Sequence, residues 1–257
     1  MTMMGRKKVE YVIFDMDGLL IDTEAVYTKV TNDILAPYGA TLTWDIKAGL
    51  MGKIQPDSAA HLLSHFPEIP LTIDSYLAKL AAAQDLLWPT VRPLPGVQKL
   101  LTHLAKHNVP IAVATSSQRR NFERKTGHLQ DVFGCFDDSE TGEERVICAD
   151  DVKGMTRGKP EPYIFLYAAS EKLKRAVGLT EGEDVTEEQK LERGLGLVFE
   201  DAILGVEAGK RAGMSVVWVP DSNLLNVETT TTHIPDQTLK SIEEFKPEEW
   251  GLPPYPE

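Results

Sequence analysis

The sequence predicts an α/β protein in which helices cover a parallel sheet and a helical segment interrupts the chain after the first strand. Two observations carry this prediction. Short apolar runs alternate with helical patterns along most of the 257 residues, and a long helical block without strands separates the first apolar run from the next. Alternating strands and helices are typical of a parallel sheet covered by helices. The helical block is therefore interpreted as an insertion into the sheet domain.

The strands are predicted from apolar runs bounded by polar residues. The first run, "EYVIFD", is hydrophobic without alternation, as buried strands of parallel sheets are. Three later segments, "PIAVATSS", "GLGLVFED" and "MSVVWVP", are predicted to be further strands. The helical patterns "GVQKLLTHLAKHN" and "ILGVEAGKRAG" lie between them, which restores the alternation of strand and helix after the block.

The inserted block begins with a clear helical pattern and ends in a proline-rich stretch. In "TEAVYTKVTNDILAPYG", Val26, Val30 and Ile34 share one stripe, and Pro37 and Gly39 end the helix.

The closing stretch, "WPTVRPLPG", contains three prolines, which favours a hinge or a domain boundary. We therefore predict a core domain of residues 1–22 and 93–257 and a helical cap domain of residues 23–92.

Composition narrows the function classes. A formal net charge of −12 argues against binding to a nucleic-acid polymer or to an anionic membrane surface, since both need positive charge. No apolar run approaches the roughly 20 residues of a membrane span. The two cysteines, Cys135 and Cys148, match neither a zinc pattern nor a disulfide framework. These features favour a cytoplasmic protein, and we expect a monomer or a weak dimer.

Polar residues follow three of the predicted strands, where ligands gather in open α/β sheets. They are Asp15 and Asp17 after the first strand, Thr115, Ser116 and Ser117 after the second, and Glu200 and Asp201 after the third, with Lys159 supplied by "RGKPEP". Clustered carboxylates favour a hard divalent cation, and Mg²⁺ takes one or two of them together with substrate phosphate. The sequence therefore predicts a magnesium site with a lysine beside it.

Four motifs, "DMDGLLIDTE", "VATSS", "GKPEP" and "VFEDA", occur in this order. In these motifs the chain resembles the phosphotransferases of the haloacid dehalogenase (HAD) superfamily that carry a helical cap after the first motif. The resemblance extends over nearly the whole chain. It implies a Rossmann-like parallel core, a Mg²⁺-dependent phosphatase, and a small phosphorylated metabolite as the substrate.

The resemblance also implies roles for the motif residues. Asp15 is expected to be the nucleophile that forms an aspartyl-phosphate, and Asp17 the acid and base. Mg²⁺ is expected to be held by the carboxylates of Asp15 and Asp201 and by the backbone carbonyl of Asp17, with Glu200 supporting these ligands from outside. Phosphate contacts are expected from Thr115, Ser116 and Lys159, and substrate contacts near the cap from Ser117 and Lys53.

Several of these residues also suit a purely structural role. Asp22 and Thr23 suit the cap of the next helix as well as a substrate contact or gating of the cap. Ser116 and Ser117 suit the cap of the helix "QRRNFERK", and Lys53 suits a plain surface position.

The substrate is less defined by these motifs. β-Phosphoglucomutases resemble the chain over the core, but they have an arginine in the cap about where Gln55 stands here. The closer resemblance is to the pseudouridine-5′-phosphatase group, which implies pseudouridine 5′-phosphate. Glycerol phosphate, a deoxyhexose phosphate and a sugar-phosphate mutase activity remain alternatives. The chain departs from that group at "EDAILG" and in an acidic insert near residues 180–193. We predict that this insert is exposed and has no catalytic role.

Overall fold

A six-stranded sheet forms the centre of the protein, and all of its strands are parallel. The computed structural model describes residues 8–50, 53, 55–138, 140–152, 158–224 and 233–256. The strands are β1 (Tyr11–Phe14), β2 (Ile111–Ala114), β3 (Val146–Ile147), β4 (Gly196–Glu200), β5 (Ser215–Trp218) and β6 (Gln237–Thr238). Their order across the sheet is β3-β2-β1-β4-β5-β6. The predicted parallel α/β fold is confirmed.

Ten α-helices lie within the described part of the chain. They are α1 (Glu24–Leu35), α2 (Trp44–Ala48), α3 (Gln55–Ser64), α4 (Ile73–Leu87), α5 (Val97–Lys106), α6 (Arg119–Thr126), α7 (Gln130–Phe133), α8 (Tyr163–Tyr167), α9 (Glu187–Arg193) and α10 (Ile203–Arg211). None of the described helices is long and apolar enough to cross a membrane.

The central strand shows why its sequence does not alternate. Every residue of β1 is fully buried. Phe14 packs into one apolar layer, where its ring stacks on Phe199 at 5.0 Å between centroids, whereas Ile13 packs into the layer on the opposite face. Burying one such side chain stabilises the fold by about 1.5–3 kcal/mol, so both faces of the strand must be apolar. The parallel register then brings the carboxyl ends of β1, β2 and β4 to one edge.

The helices between β1 and β2 have an apolar cluster of their own. Val30, Leu35, Leu62 and Leu80 are buried in it, and α1 packs against α4. These helices therefore bury their apolar stripes mostly against one another. We propose on this basis that residues 23–92 form the inserted cap, with 1–22 and 93–257 as the core.

Two features of the fold differ from the sequence expectation. Strands β3 and β6 are only two residues long, too short to produce a periodic signal. The acidic insert is largely exposed at its surface, but Arg193 within it is buried. Its guanidinium donates to the carbonyls of Val177, Gly178 and Thr180, so this residue anchors the insert to the core.

Replacement of Gly205 by alanine tests the packing of α10 against the end of β4. A Cβ atom at this position would lie 1.8 Å from Oε1 of Glu200. Glu200 cannot retreat easily, because Lys159 and two backbone N–H groups hold its oxygens. We expect Gly205→Ala to lower the free energy of unfolding by about 1–3 kcal/mol, measured by urea denaturation.

The matched control is Gly134→Ala, where nothing lies within 4 Å of the new Cβ atom. Its stability should stay within about 0.5 kcal/mol of the wild type. Equal stability of both variants would show that Glu200 has room to move.

Candidate active site

The carboxyl ends of β1, β2 and β4 bring the predicted residues together. The backbone N–H of Asp15 donates to the carbonyl of Phe199 at 3.0 Å, and that of Thr115 donates to Ile147 at 3.0 Å, so the sheet ladder continues into the site. The carboxylates of Asp15, Glu200 and Asp201 offer oxygens that all lie within 4.8 Å of one another. The sheet therefore gathers three buried acids at a single point.

A sharp turn after β1 brings the loop close to Asp201. Gly18 has a φ of +77°, a conformation that side chains disfavour, and its N–H donates to the carbonyl of Ile21 at 3.0 Å. A Cβ atom on Gly18 would lie 2.4 Å from Oδ2 of Asp201. The glycine of the first motif thus allows the loop that carries Asp17 to pack against the end of β4.

Lys159 lies between two of the acids. Its ammonium donates to Oδ1 of Asp15 and, at 2.5 Å, to Oε1 of Glu200. Burial disfavours the charged lysine, but the two carboxylates outweigh burial and raise the pKa of Lys159. It therefore remains a cation and offsets the negative charge of the strand ends.

Glu200 is fully engaged by the protein. Its Oε1 accepts from Lys159, and its Oε2 accepts from the backbone N–H groups of Asp201 and Ala202 at 3.0 and 3.1 Å. A carboxylate with both oxygens occupied is better suited to support a metal ligand than to be one.

Asp201 has the opposite environment. It is 4% exposed, and among the described residues no hydrogen-bond donor or cation contacts its carboxylate. Burial, with the nearby charges of Glu200 and Asp15, raises the pKa of Asp201 well above its ordinary value. A buried carboxylate without a partner is costly, and a hard cation is the partner that this oxygen-rich group fits.

Asp17 is held at both of its oxygens. Oδ1 accepts from the ammonium of Lys125 at 2.5 Å, and Oδ2 accepts from the hydroxyl of Ser117 at 2.7 Å and, more weakly, from that of Thr115 at 3.4 Å. Burial acts to raise the pKa of Asp17, but Lys125 and the hydroxyl donors outweigh it and lower this pKa.

The two serines after β2 do not cap the next helix, so that alternative is wrong. Helix α6 has Gln118 at its N-cap without a side-chain bond, and its first N–H, that of Arg119, donates to Asp150 at 2.8 Å. Ser117 instead binds Asp17. The hydroxyl oxygen of Ser116 is buried without a partner in the described structure, and Ser116 lines the cavity. It is free to bind a ligand there.

The start of α1 has a partial cap. The N–H of Ala25 donates to Oδ1 of Asp22 at 3.3 Å, whereas the side chain of Thr23 makes no capping bond. Capping is therefore a structural role that the described contacts support for Asp22 alone.

A cavity of about 520 Å³ lies between these strand ends and the helices 24–87. Lys53 and Gln55 line it, which places the cap lysine predicted from the sequence at the same cavity as Asp15. Lys47 also lines it, and its ammonium binds Thr28 at 2.8 Å and Glu24 at 3.1 Å. A parallel sheet with acids and a lysine at its strand ends, beneath a cavity of this size, defines an α/β enzyme.

Sequence reasoning missed two lysines, Lys47 and Lys125. Both lie in short helices among other charged or polar residues, "WDIKA" and "RRNFERKT". Nothing in the local pattern distinguishes them from exposed lysines, because their burial is decided by distant residues.

Comparison with known proteins supports the interpretation of the cavity and its acids as an enzyme active site. The haloacid dehalogenase-like hydrolases match residues 12–219. The (DL)-glycerol-3-phosphatase 1 of Arabidopsis thaliana, a mitochondrial protein, is 38% identical over 253 residues, which are 98% of this chain and 76% of that protein. A probable pseudouridine-5′-phosphatase of Drosophila melanogaster is 36% identical over 249 residues, 97% and 96% of the two chains.

A solved structure of a HAD family hydrolase from Deinococcus radiodurans R1, with bound phosphate and sodium, aligns with a TM-score of 0.67 and 21% identity. The alignment covers 96% of this chain and 99% of the other, and it shows the shared fold. The chain belongs to the haloacid dehalogenase-like hydrolases, which confirms the resemblance found in the four motifs.

Because no described residue binds the buried carboxylate of Asp201, we expect Asp201→Asn to change stability relative to the wild type in opposite directions with and without Mg²⁺. An acid whose pKa is raised by folding destabilises the folded state at pH 7, above its unfolded pKa. Without Mg²⁺ the neutral variant should therefore be more stable than the wild type, by roughly 1 kcal/mol. With Mg²⁺ the melting temperature of the wild type should rise while that of the variant stays fixed.

The control for this experiment is Asp33→Asn, whose side chain is 63% exposed. It should leave the Mg²⁺-induced shift unchanged and alter the metal-free stability by no more than about 0.5 kcal/mol, because its pair with Lys29 is exposed. A metal-free Asp201→Asn protein that is less stable than the wild type would contradict the assignment of a lone buried charge.

Proposed function

We propose that the protein is a Mg²⁺-dependent phosphatase that hydrolyses a small phosphomonoester through an aspartyl-phosphate on Asp15. The observation that carries the proposal is the placement of Asp15 at the end of β1, between the ammonium of Lys159 and the unpartnered carboxylate of Asp201. Family membership supports the same reaction class.

The donor set fits magnesium. Asp15 and Asp201 would hold the ion through their carboxylates, and Asp17 through its backbone carbonyl. Among the described residues, five carboxylates and three ammonium groups interact around the strand ends; they are Asp15, Asp17, Glu24, Glu200 and Asp201, with Lys47, Lys125 and Lys159. A divalent cation would offset the negative charge that these carboxylates carry when they are ionised. When bound, it would supply charge neutralisation for the transferring phosphoryl group.

In the first step, the carboxylate of Asp15 attacks phosphorus, and the bond from phosphorus to the leaving oxygen breaks. Asp17 gives a proton to that oxygen. The negative charge of a bound phosphate raises the pKa of Asp17 from its lowered resting position, which favours the protonated form that this step needs.

In the second step, Asp17 takes a proton from water, and the resulting hydroxide attacks phosphorus. The bond between phosphorus and Asp15 breaks, which releases inorganic phosphate and restores the carboxylate. Ser116 and Lys159, which line the cavity, hold the phosphoryl oxygens throughout, and the hydroxyl of Thr115, which binds Asp17 here, is the third proposed contact. Phosphoryl transfer needs mainly positioning and charge neutralisation, and these side chains provide both.

The cavity has room for a nucleoside monophosphate as well as for glycerol phosphate. Its volume of about 520 Å³ lies within the usual range of small-molecule sites. Its walls combine apolar side chains, such as Leu42 and Leu80, with polar groups from Thr28, Tyr76 and Lys47. We therefore propose pseudouridine 5′-phosphate as the preferred substrate, in line with the Drosophila relative. Glycerol 3-phosphate is the second candidate, because the 38% identical Arabidopsis relative is named for that substrate.

Phosphate release with Mg²⁺ tests the reaction and the substrate together. The panel is pseudouridine 5′-phosphate, uridine 5′-phosphate, glycerol 3-phosphate, 2-deoxyglucose 6-phosphate and β-glucose 1-phosphate. We expect the highest kcat/KM for pseudouridine 5′-phosphate. Preference for glycerol 3-phosphate would move the assignment to the second candidate. Conversion of β-glucose 1-phosphate that depends on a bisphosphate activator, without phosphate release, would identify a mutase.

Asp15→Asn should reduce phosphate release by about a thousandfold or more, since an amide is a far weaker nucleophile. The exposed Asp33→Asn serves as the matched control and should retain full turnover. Mass spectrometry of the denatured wild type after mixing with substrate should show one added phosphoryl group, absent from Asp15→Asn. Retained turnover of the variant would contradict the assigned nucleophile.

Lys53→Ala tests the contact that we propose between the cap and the substrate. We expect KM to rise about tenfold with little change in kcat, because the lysine would bind the part of the substrate that does not react. Lys79→Ala, an exposed lysine on α4, is the control. Equal KM values for the two variants in steady-state assays would assign Lys53 to the surface.

A further inference from the structure

Lys125 is a fully buried lysine for which neither the sequence motifs nor the proposed chemistry has a role. It is the penultimate residue of α6, and its side chain has no exposed surface. Its helix neighbours Arg120 and Arg124 instead pair with Asp85 at the protein surface. A buried ammonium is costly unless it is paired and hydrogen-bonded, so its partners indicate what it does.

The three N–H donors of Lys125 meet three oxygen acceptors. They are Oδ1 of Asp17 at 2.5 Å, the hydroxyl of Ser117 at 2.9 Å and the hydroxyl of Tyr27 at 3.1 Å. The ring of Trp88 lies 4.4 Å from the ammonium and adds a cation–π contact. Every donor is used, and the strongest contact is with the proposed acid and base.

These contacts fix the direction of the Asp17 carboxylate. Lys125 holds one oxygen, while Ser117 and Thr115 hold the other from the end of β2. The carboxylate is therefore held in one orientation beside the end of β2, where Ser117 and Asp17 both line the cavity. Without Lys125, the side chain of Asp17 would lose its charged partner and could turn to another rotamer at little cost.

Lys125 also connects Asp17 to both ends of the helical insertion. Tyr27 lies in the first turn of α1, just after the chain leaves the core, and Trp88 lies just before the chain returns. The two rings contact each other at 5.2 Å between centroids. One ammonium thus joins α6 of the core, both connecting segments and the Asp17 side chain.

We propose that Lys125 is the positioning residue of Asp17: it orients the acid and base toward the phosphoryl site and fixes that orientation to the segments that connect core and cap. This inference rests on the proposed function, because it assumes that Asp17 transfers protons. Lys125 itself has no exposed surface and, unlike Asp17, does not line the cavity, so it acts through Asp17.

The test compares Lys125→Met, which keeps the length of the side chain and removes its charge, with the wild type on p-nitrophenyl phosphate. Nitrophenolate leaves without a proton, so the first step needs little help from Asp17, whereas attack by water still needs it. We expect a rapid burst of about one nitrophenol per active site, followed by turnover about ten- to a hundredfold slower than that of the wild type, with KM nearly unchanged. Lys125→Arg should regain part of the turnover rate that Lys125→Met loses after the burst. The exposed Lys106→Met should behave as the wild type.

A double variant separates positioning from a structural role. If Lys125 acts through Asp17, Lys125→Met should cost no further turnover in an Asp17→Asn background. Equal loss of burst and turnover, or additive losses in the double variant, would overturn the inference. If Lys125→Met fails to fold, Tyr27→Phe replaces it in the same assay. We then expect the same burst, followed by turnover a few-fold slower than that of the wild type. An equal loss in the burst and in the turnover would contradict the proposal.

The same assays distinguish the inference from the function on which it rests. Absence of phosphate release by the wild type, or full turnover by Asp15→Asn, would reject the proposed phosphatase. A functional wild type, an inactive Asp15→Asn and a Lys125→Met protein without a separate burst would reject only the role of Lys125.

Discussion

The site depends on the balance of charges buried at the ends of apolar strands. Strands that are apolar on both faces make a stable sheet, but they leave any acid that follows them in a poorly hydrated position. In this protein the buried ammonium groups pair with different acids, since Lys159 binds both Asp15 and Glu200 whereas Lys125 binds Asp17. Among the described residues no cation forms an ion pair with Asp201, and the more distant Lys159 only partly offsets the burial and the neighbouring acids that raise its pKa. Since removing one partner of a buried pair costs several kcal/mol, roughly 3–5, this pairing constrains the positions of all the elements that supply it.

The balancing lysines come from elements that are far apart in the sequence. Lys159 follows β3, Lys125 lies in α6 and Lys47 lies in α2 of the helical insertion. Their carboxylate partners come from the ends of β1 and β4 and from the start of α1. The charges can therefore be balanced only when sheet, flanking helices and insertion are all in place. The complete site therefore exists only in the folded tertiary structure, and the low exposure of these groups keeps the pairs from being weakened by solvent.

Which features the sequence could predict depends on how far apart along the chain the interacting residues lie. The four longer strands and the long helices were predictable because burial on both faces or on one stripe leaves a local pattern of apolar residues. The acids after β1 and β4 were predictable because parallel strands end at a common edge. Lys125 was not, since its burial depends on Asp17, which is 108 positions away. The same holds for Ser117, which suits a helix cap by local rules but binds Asp17 instead, at a separation of 100 positions.

The acidic insert belongs to the same system of charges, although its surface is exposed. Glu181 in the insert binds the guanidinium of Arg211 at 3.0 and 3.1 Å. Arg211 in turn donates to the carbonyl of Pro160 at 3.0 Å and to Glu161 at 2.6 Å, in the segment that directly follows Lys159. Each of these half-exposed pairs contributes little to stability, about 0–1 kcal/mol. Together, however, they connect the insert, through Arg211, to the backbone next to Lys159. The insert is thus tied by its contacts to the segment that carries Lys159, which is a structural role that needs no contact between its acids and the cavity.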